Sequence, residues 1–174
     1  ETWPQLAKML PAAYRYIKAH YGAYPYKQYS FIQGGDGGME YPMATLIMGN
    51  GKINGLYGLA MHEWMHSWYQ GMLATNESLY PWMDEGFTTF AESNVVHNTI
   101  DSLKNNNAQA NSYAGYFALA ASPFEEPATT HADHYNTNYG YSLTAYSKGA
   151  VFLEQLGYVI GAENRDAGLL RYYR

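Results

Sequence analysis

The segment Ala60-Met61-His62-Glu63-Trp64-Met65-His66-Ser67-Trp68 constrains this chain more than any other. It is apolar, aromatic and free of Pro, so it can run as a helix. Residues four apart on a helix share a face, which lets His62 and His66 offer imidazole nitrogens to one metal ion. Glu63 stands beside the first of them, where a carboxylate can take a proton from a water held at the metal. Two histidines do not complete a catalytic zinc site, which has three protein ligands and one open position. A third ligand is expected on a neighbouring helix.

Glu85, in Trp82-Met83-Asp84-Glu85-Gly86-Phe87, is the candidate. Eighteen residues separate it from His66, enough for a loop and a return into an antiparallel helix. Gly86 leaves room for the two helices to approach closely. Glu92 shares a face with Glu85 and is read either as a surface carboxylate or as the group that fixes a ligand histidine's tautomer.

Composition narrows the alternatives. The 174 residues suffice for one domain with a core, and 47% hydrophobic residues against 14% charged mark a globular chain rather than a disordered one. A net charge of -5 argues against nonspecific nucleic-acid binding. The absence of Cys excludes disulfides, thiol catalysis and Cys-ligated zinc, and assigns no compartment. No run is long enough for a transmembrane helix. The start at Glu1 without Met suggests a processed or excised piece, and one sequon, Asn76-Glu77-Ser78, stands close to chance.

Along the chain, residues 3–21 predict a helix, kinked or restarted at Pro11. Residues 27–33 alternate as a strand. Gly34 to Gly38 form a glycine-rich loop without the helix and Lys of a nucleotide site, so it is read as a loop running into an edge strand, which Pro42 suits. Residues 44–48 predict a buried strand. Helices follow over about 56–69, from Asp84 or Glu85 to about 97, over 113–121 and over 142–160, where Gly161 ends the run. Another begins at Asn164. Residues 101–138 read as mostly polar loop, in which His131-Ala132-Asp133-His134 is solvated. His20 and His97 are placed at helix surfaces or ends, Met39, Met43, Met48, Met61 and Met65 in the core, and Tyr141 as a packed aromatic.

Taken together, four ordered segments resemble the aminopeptidase N and leukotriene hydrolase family of gluzincin zinc metallopeptidases. They are Gly37-Gly38-Met39-Glu40, the His62 to His66 motif, Trp82 to Phe87, and Tyr146-Ser147-Lys148-Gly149. The resemblance implies an α+β fold, a thermolysin-like zincin domain with a small mixed sheet, an exposed edge strand and a mainly helical part. It implies one zinc ion on His62, His66 and Glu85, Glu63 as general base, and Tyr146 as donor to the oxyanion. Glu40 would bind the substrate's α-amino group, while Gly37, Gly38 and Met39 would line the substrate strand. The enzyme would be an aminopeptidase acting on peptides with a free N-terminus.

In two respects the chain departs from the family. Tyr41-Pro42 follows Glu40 where the family has Asn. The family's preceding β domain and following helical domains are absent, so residues 1–174 read as one catalytic domain whose partners include those flanking domains. Three other readings remain open: a zinc hydrolase without preference for a free amine, a catalytically inactive peptidase-like binding module, and a helical domain with a structural metal.

Overall fold

The computed structural model describes residues 2–35, 37–100 and 106–174. Asp36 of the glycine loop and residues 101–105 of the polar stretch lie outside them. Helix α1 (Trp3–His20) leads into a three-stranded sheet, β1 (Ser30–Gln33), β2 (Gly38–Tyr41) and β3 (Ala44–Ile47). Helices α2 (Ile53–His66), α3 (Phe87–Thr99), α4 (Ala110–Ala120), α5 (Asn138–Ser142), α6 (Gly149–Ile160) and α7 (Ala162–Tyr173) follow. The fold is therefore the expected small mixed sheet beside a larger helical part.

In the sheet the strand order is β1-β3-β2, with β1 parallel and β2 antiparallel to β3. β2 is thus an edge strand, as its glycines and the nearby Pro suggest. Pro42 itself lies outside the strand. With Met43, at φ 60°, it makes the turn into β3, Pro fixing the second turn position and the third requiring positive φ. The period-2 alternation of β2 turns Gly38 and Glu40 inward and leaves Met39 and Tyr41 exposed. Met39, Met43 and Met48 are accordingly exposed rather than core, whereas Met61 and Met65 are fully buried. β1 is shorter than the alternation over 27–33 predicts. The chain bends before it, where the Tyr24 hydroxyl donates to the Gln28 carbonyl (2.9 Å).

α2 is the central helix, with Tyr57, Ala60, Met61, Trp64 and Met65 all buried. A helix apolar on nearly every side must be surrounded, and α1, α3 and the sheet pack around it. Each such side chain contributes roughly 1.5–3 kcal/mol relative to exposure. α1 runs unbroken through Pro11, which is exposed along with Ala7, so the carbonyl that loses its helical donor meets water instead. Among the described residues no helix is long and apolar enough to cross a membrane.

Among the described residues three wider, π-type turns interrupt the helices: Ser67–Met72 after α2, Trp82–Gly86 before α3, and Leu143–Lys148 between α5 and α6. The last two cross at Gly86 and Gly149. A Cβ on Gly86 would lie 2.8 Å from the Gly149 Cα and 2.9 Å from the Ala145 carbonyl oxygen. The close approach that Gly86 permits is therefore to the Tyr146 segment and not to α2.

Since backbone stands on both sides of this contact, Gly86→Ala is expected to destabilise the fold by about 1–3 kcal/mol in urea unfolding. Gly168→Ala, at an exposed position of α7 with nothing within 4 Å of the added Cβ, should instead stabilise by about 0.5–1 kcal/mol. Equal midpoints for the two variants would contradict the packing described.

Candidate metal centre

His62 and His66 occupy the last turn of α2, and Glu85 comes from the wide turn that leads into α3. Their donor atoms converge. His62 Nε2 lies 3.2 Å from His66 Nε2 and 3.2 Å from Glu85 Oε2, and His66 Nε2 lies 3.4 Å from Glu85 Oε2. Ligand bonds of about 2.0–2.1 Å in a tetrahedron set ligand atoms about 3.3–3.4 Å apart, so these three atoms fit one zinc ion. Two imidazoles and a carboxylate are also the donor types that zinc takes in catalytic sites.

The other nitrogen of His66 is held from behind. Its Nδ1–H donates to Asp84 Oδ1 at 2.6 Å, and the Thr88 hydroxyl lies 3.3 Å from the same nitrogen. Asp84 is 3% exposed and His66 2%, so this contact is shielded from water. A carboxylate on Nδ1 fixes the tautomer that leaves Nε2 for a metal. Glu92, read either as a surface carboxylate or as an orienting group, hydrogen-bonds neither histidine among the described residues, although it lies near α2 at Gly58. Asp84 was missed because its only signal is adjacency to Glu85. Nothing in the sequence period shows that a wide turn brings two consecutive residues to one histidine. Glu40, His66 and Asp84 form a second convergent set, their ligand atoms within 4.8 Å of one another.

The electrostatics follow from burial and this pairing. Burial alone would raise the Glu85 pKa, but the hydrogen bonds and charges of His62 and His66 outweigh it and bring it to about 2. Burial would lower that of His66, yet Asp84 and Glu85 carry it well above the usual imidazole value. A metal ion bound there competes with a proton for the His66 nitrogen. Glu63 is 4% exposed, and burial lifts its pKa to about 7, against the pull of His66 and with the push of Glu40, Glu85 and Asp84. Its Oε2 is buried without a hydrogen-bond partner.

β2 lies directly against Glu63. A Cβ on Gly38 would stand 2.5 Å from Glu63 Oε1, so any larger residue there must shift the Glu63 side chain. Across the cluster the Tyr146 ring stacks on His62, centroids 5.7 Å apart and planes 10° apart. Burial and the Glu85 charge raise the Tyr146 pKa, which keeps its phenol a proton donor. Tyr141 packs edge-on against Tyr146 at 6.4 Å, but it also faces the cavity, so it is more than the packed aromatic expected. His62, Glu63, His66, Glu85, Glu40, Gly38, Met39 and Tyr146 all line one cavity of about 340 Å³. Gly37 lines an adjoining cleft of about 840 Å³, which Glu92 also borders. Asp133 and His134 of the other histidine cluster are exposed, as expected of a solvated turn, while Ala132 reaches the wall of the first cavity.

Removing the support of His66 should weaken metal binding. Asp84→Ala is expected to lower zinc affinity about 10–100-fold in competition with a chelator of known affinity. An unchanged affinity would assign the orientation of His66 to Thr88 instead.

Comparison with known proteins agrees with this geometry. The peptidase family M1 domain matches residues 6–174. No curated protein matches the chain. Among solved structures, the M1 zinc metallopeptidase from Deinococcus radiodurans superposes with a TM-score of 0.71 at 21% identity, over 96% of this chain and 35% of that one. A mutant of the Deinococcus radiodurans enzyme bound to a Tyr-Ser-Ala substrate gives 0.70 at 20% identity, over 96% and 35%. A two-domain M1 zinc metallopeptidase mutant bound to L-tryptophan gives 0.71 at 20% identity with the same coverage. At such identity the structures show a shared fold, and the chain spans about a third of their length. With the family domain matching nearly the whole of this chain, the chain belongs to the M1 family of zinc metallopeptidases.

Proposed function

We propose that residues 1–174 are the catalytic domain of a zinc-dependent aminopeptidase, completed by flanking domains of the same protein. The observation that carries the reading is a convergence. The three-donor cluster, the unpartnered carboxylate of Glu63, Glu40 and Tyr146 share one cavity beside a free sheet edge.

Zinc held by His62, His66 and Glu85 would supply a Lewis acid that makes water acidic and draws electron density from a peptide carbonyl. A substrate strand pairs with the open edge of β2 at Gly37 and Gly38, which fixes its direction. Glu63 takes a proton from the attacking water on its carboxylate as the new C–O bond forms. Its raised pKa lets the same carboxyl pass that proton to the amine as the C–N bond breaks. The Tyr146 O–H donates to the developing oxyanion, a role open to a neutral phenol in a partly desolvated wall. Glu40, one register step beyond Met39 on the same strand, pairs with the α-ammonium, which rewards a chain end and leaves a mid-chain peptide unmatched.

Nearby Tyr41, in place of the family's Asn, points to the exposed face of β2, so its side chain does not enter the cavity over the cluster. The inward placement of Glu40 is set by strand alternation and persists despite the substitution.

Glu63→Gln should retain zinc and lose about 10²–10⁴-fold in kcat on a free N-terminal peptide, read with metal content measured on the same sample. Full activity in that variant would refute the mechanism. N-acetylation of the peptide should abolish most cleavage, and similar rates on both forms would leave a zinc hydrolase without amine specificity. Gly38→Ala should lower kcat at least about tenfold, since the added methyl displaces the base.

A further inference from the structure

In the Tyr146-Ser147-Lys148-Gly149 segment, Gly149 packs on Gly86 and Tyr146 lies over His62, but Lys148 does not line the cavity over the cluster. Its ammonium donates to Glu125 Oε1 at 2.7 Å and lies 3.4 Å from the Glu126 carbonyl oxygen. Both partners stand at the start of the loop that joins α4 to α5.

That loop is closed at its neck. Glu126 accepts from the backbone N–H of Asn136 at 3.1 Å and from its side-chain amide at 3.0 Å. A Cβ on Gly140 would lie 2.7 Å from the Phe124 carbonyl oxygen, so the neck rests on the backbone of α5. Inside the loop the Tyr135 hydroxyl donates to the Pro127 carbonyl at 3.2 Å. At its tip the Ala132 N–H donates to the Ser78 carbonyl at 2.7 Å, and both residues line the cavity.

A row of rings carries this loop to Tyr146. Tyr135 packs edge-on against Tyr141 with centroids 5.5 Å apart, and Tyr141 packs edge-on against Tyr146 at 6.4 Å. Tyr146 in turn stacks on His62 at 5.7 Å. Close-packed side chains transmit displacement rather than absorb it. The loop therefore meets the Tyr146 turn twice, at the Lys148 ammonium and, through Tyr141, at the Tyr146 ring.

We propose that the loop over residues 124–136 is a buttress that holds the Tyr146 phenol beside the metal cluster, with Lys148 as the positioning residue that ties the loop to the Tyr146 turn. This rests on the role of Tyr146 in the proposed reaction and names what fixes that residue in place. The Lys148–Glu125 pair is 28% and 35% exposed, so water screens it and the fold does not depend on it. The rate is more sensitive, because a donor aimed at charge that develops only in the transition state loses most of its value when misplaced.

The test is a cycle of variants of the zinc-loaded protein. Lys148→Met should lower kcat at least about threefold, with KM and zinc affinity within about twofold of the parent. Lys148→Arg, which keeps the charge and can still reach Glu125, should return kcat to within about twofold. In the Tyr146→Phe background the donor is already gone, so adding Lys148→Met should change the residual kcat by less than about twofold. An equal loss in both backgrounds, or no loss in Lys148→Met, overturns the proposal. Proton NMR reads the same placement without turnover, since the stacked Tyr146 ring shifts the resonances of the His62 ring. Those resonances should move in Lys148→Met and return in Lys148→Arg, and unmoved resonances overturn the proposal. If no peptide is cut while they move as described, the peptidase reading fails and the buttress stands.

Discussion

α2 carries Glu63 and His66 into the interior, and ionisable groups buried there must be partnered. Much of the active region can be understood as the answer to that requirement. Asp84 and Glu85 arrive on one wide turn and take the two nitrogens of His66 from opposite sides. That turn can reach α2 only because its far side packs backbone to backbone on Gly149 through Gly86. The same crossing brings the next wide turn, and with it Tyr146, over His62. The cluster, the base and the tyrosine are therefore one packing problem with one solution. Single residues such as Gly86 and Gly38 matter for the space they leave empty.

Much of this was legible in the residues. The four-residue spacing of His62 and His66 is a helical property, and the loop length to Glu85 permits the return that is seen. The glycine-rich loop does run into an edge strand. What stayed hidden depends on geometry without a sequence period. A π-type turn cannot be distinguished from an α turn by spacing, so the hold of Asp84 on His66 has no signal in the sequence. Met39, Met43 and Met48 are apolar and read as core, yet they sit on an edge strand, its turn and the end of β3, where no covering layer exists among the described residues. The partner of Gly86 was misplaced for a similar reason. A glycine announces close approach but not by which element.

Charge distribution links the site to what it would accept. The cluster concentrates carboxylates in a chain that is acidic overall, and Asp84 and Glu85 raise the pKa of the His66 between them against the effect of its burial. A divalent cation is the species that the three convergent donors fit. That expectation rests on where the fold places side chains rather than on their number.

The central claim concerns which of two overlapping donor sets holds the metal. Crystals of the zinc-loaded protein, measured on both sides of the zinc absorption edge, would locate it directly. The account predicts a single anomalous peak about 2.0–2.2 Å from His62 Nε2, His66 Nε2 and a Glu85 carboxylate oxygen. A peak held instead among Glu40, His66 and Asp84, or no bound zinc at all, would contradict it.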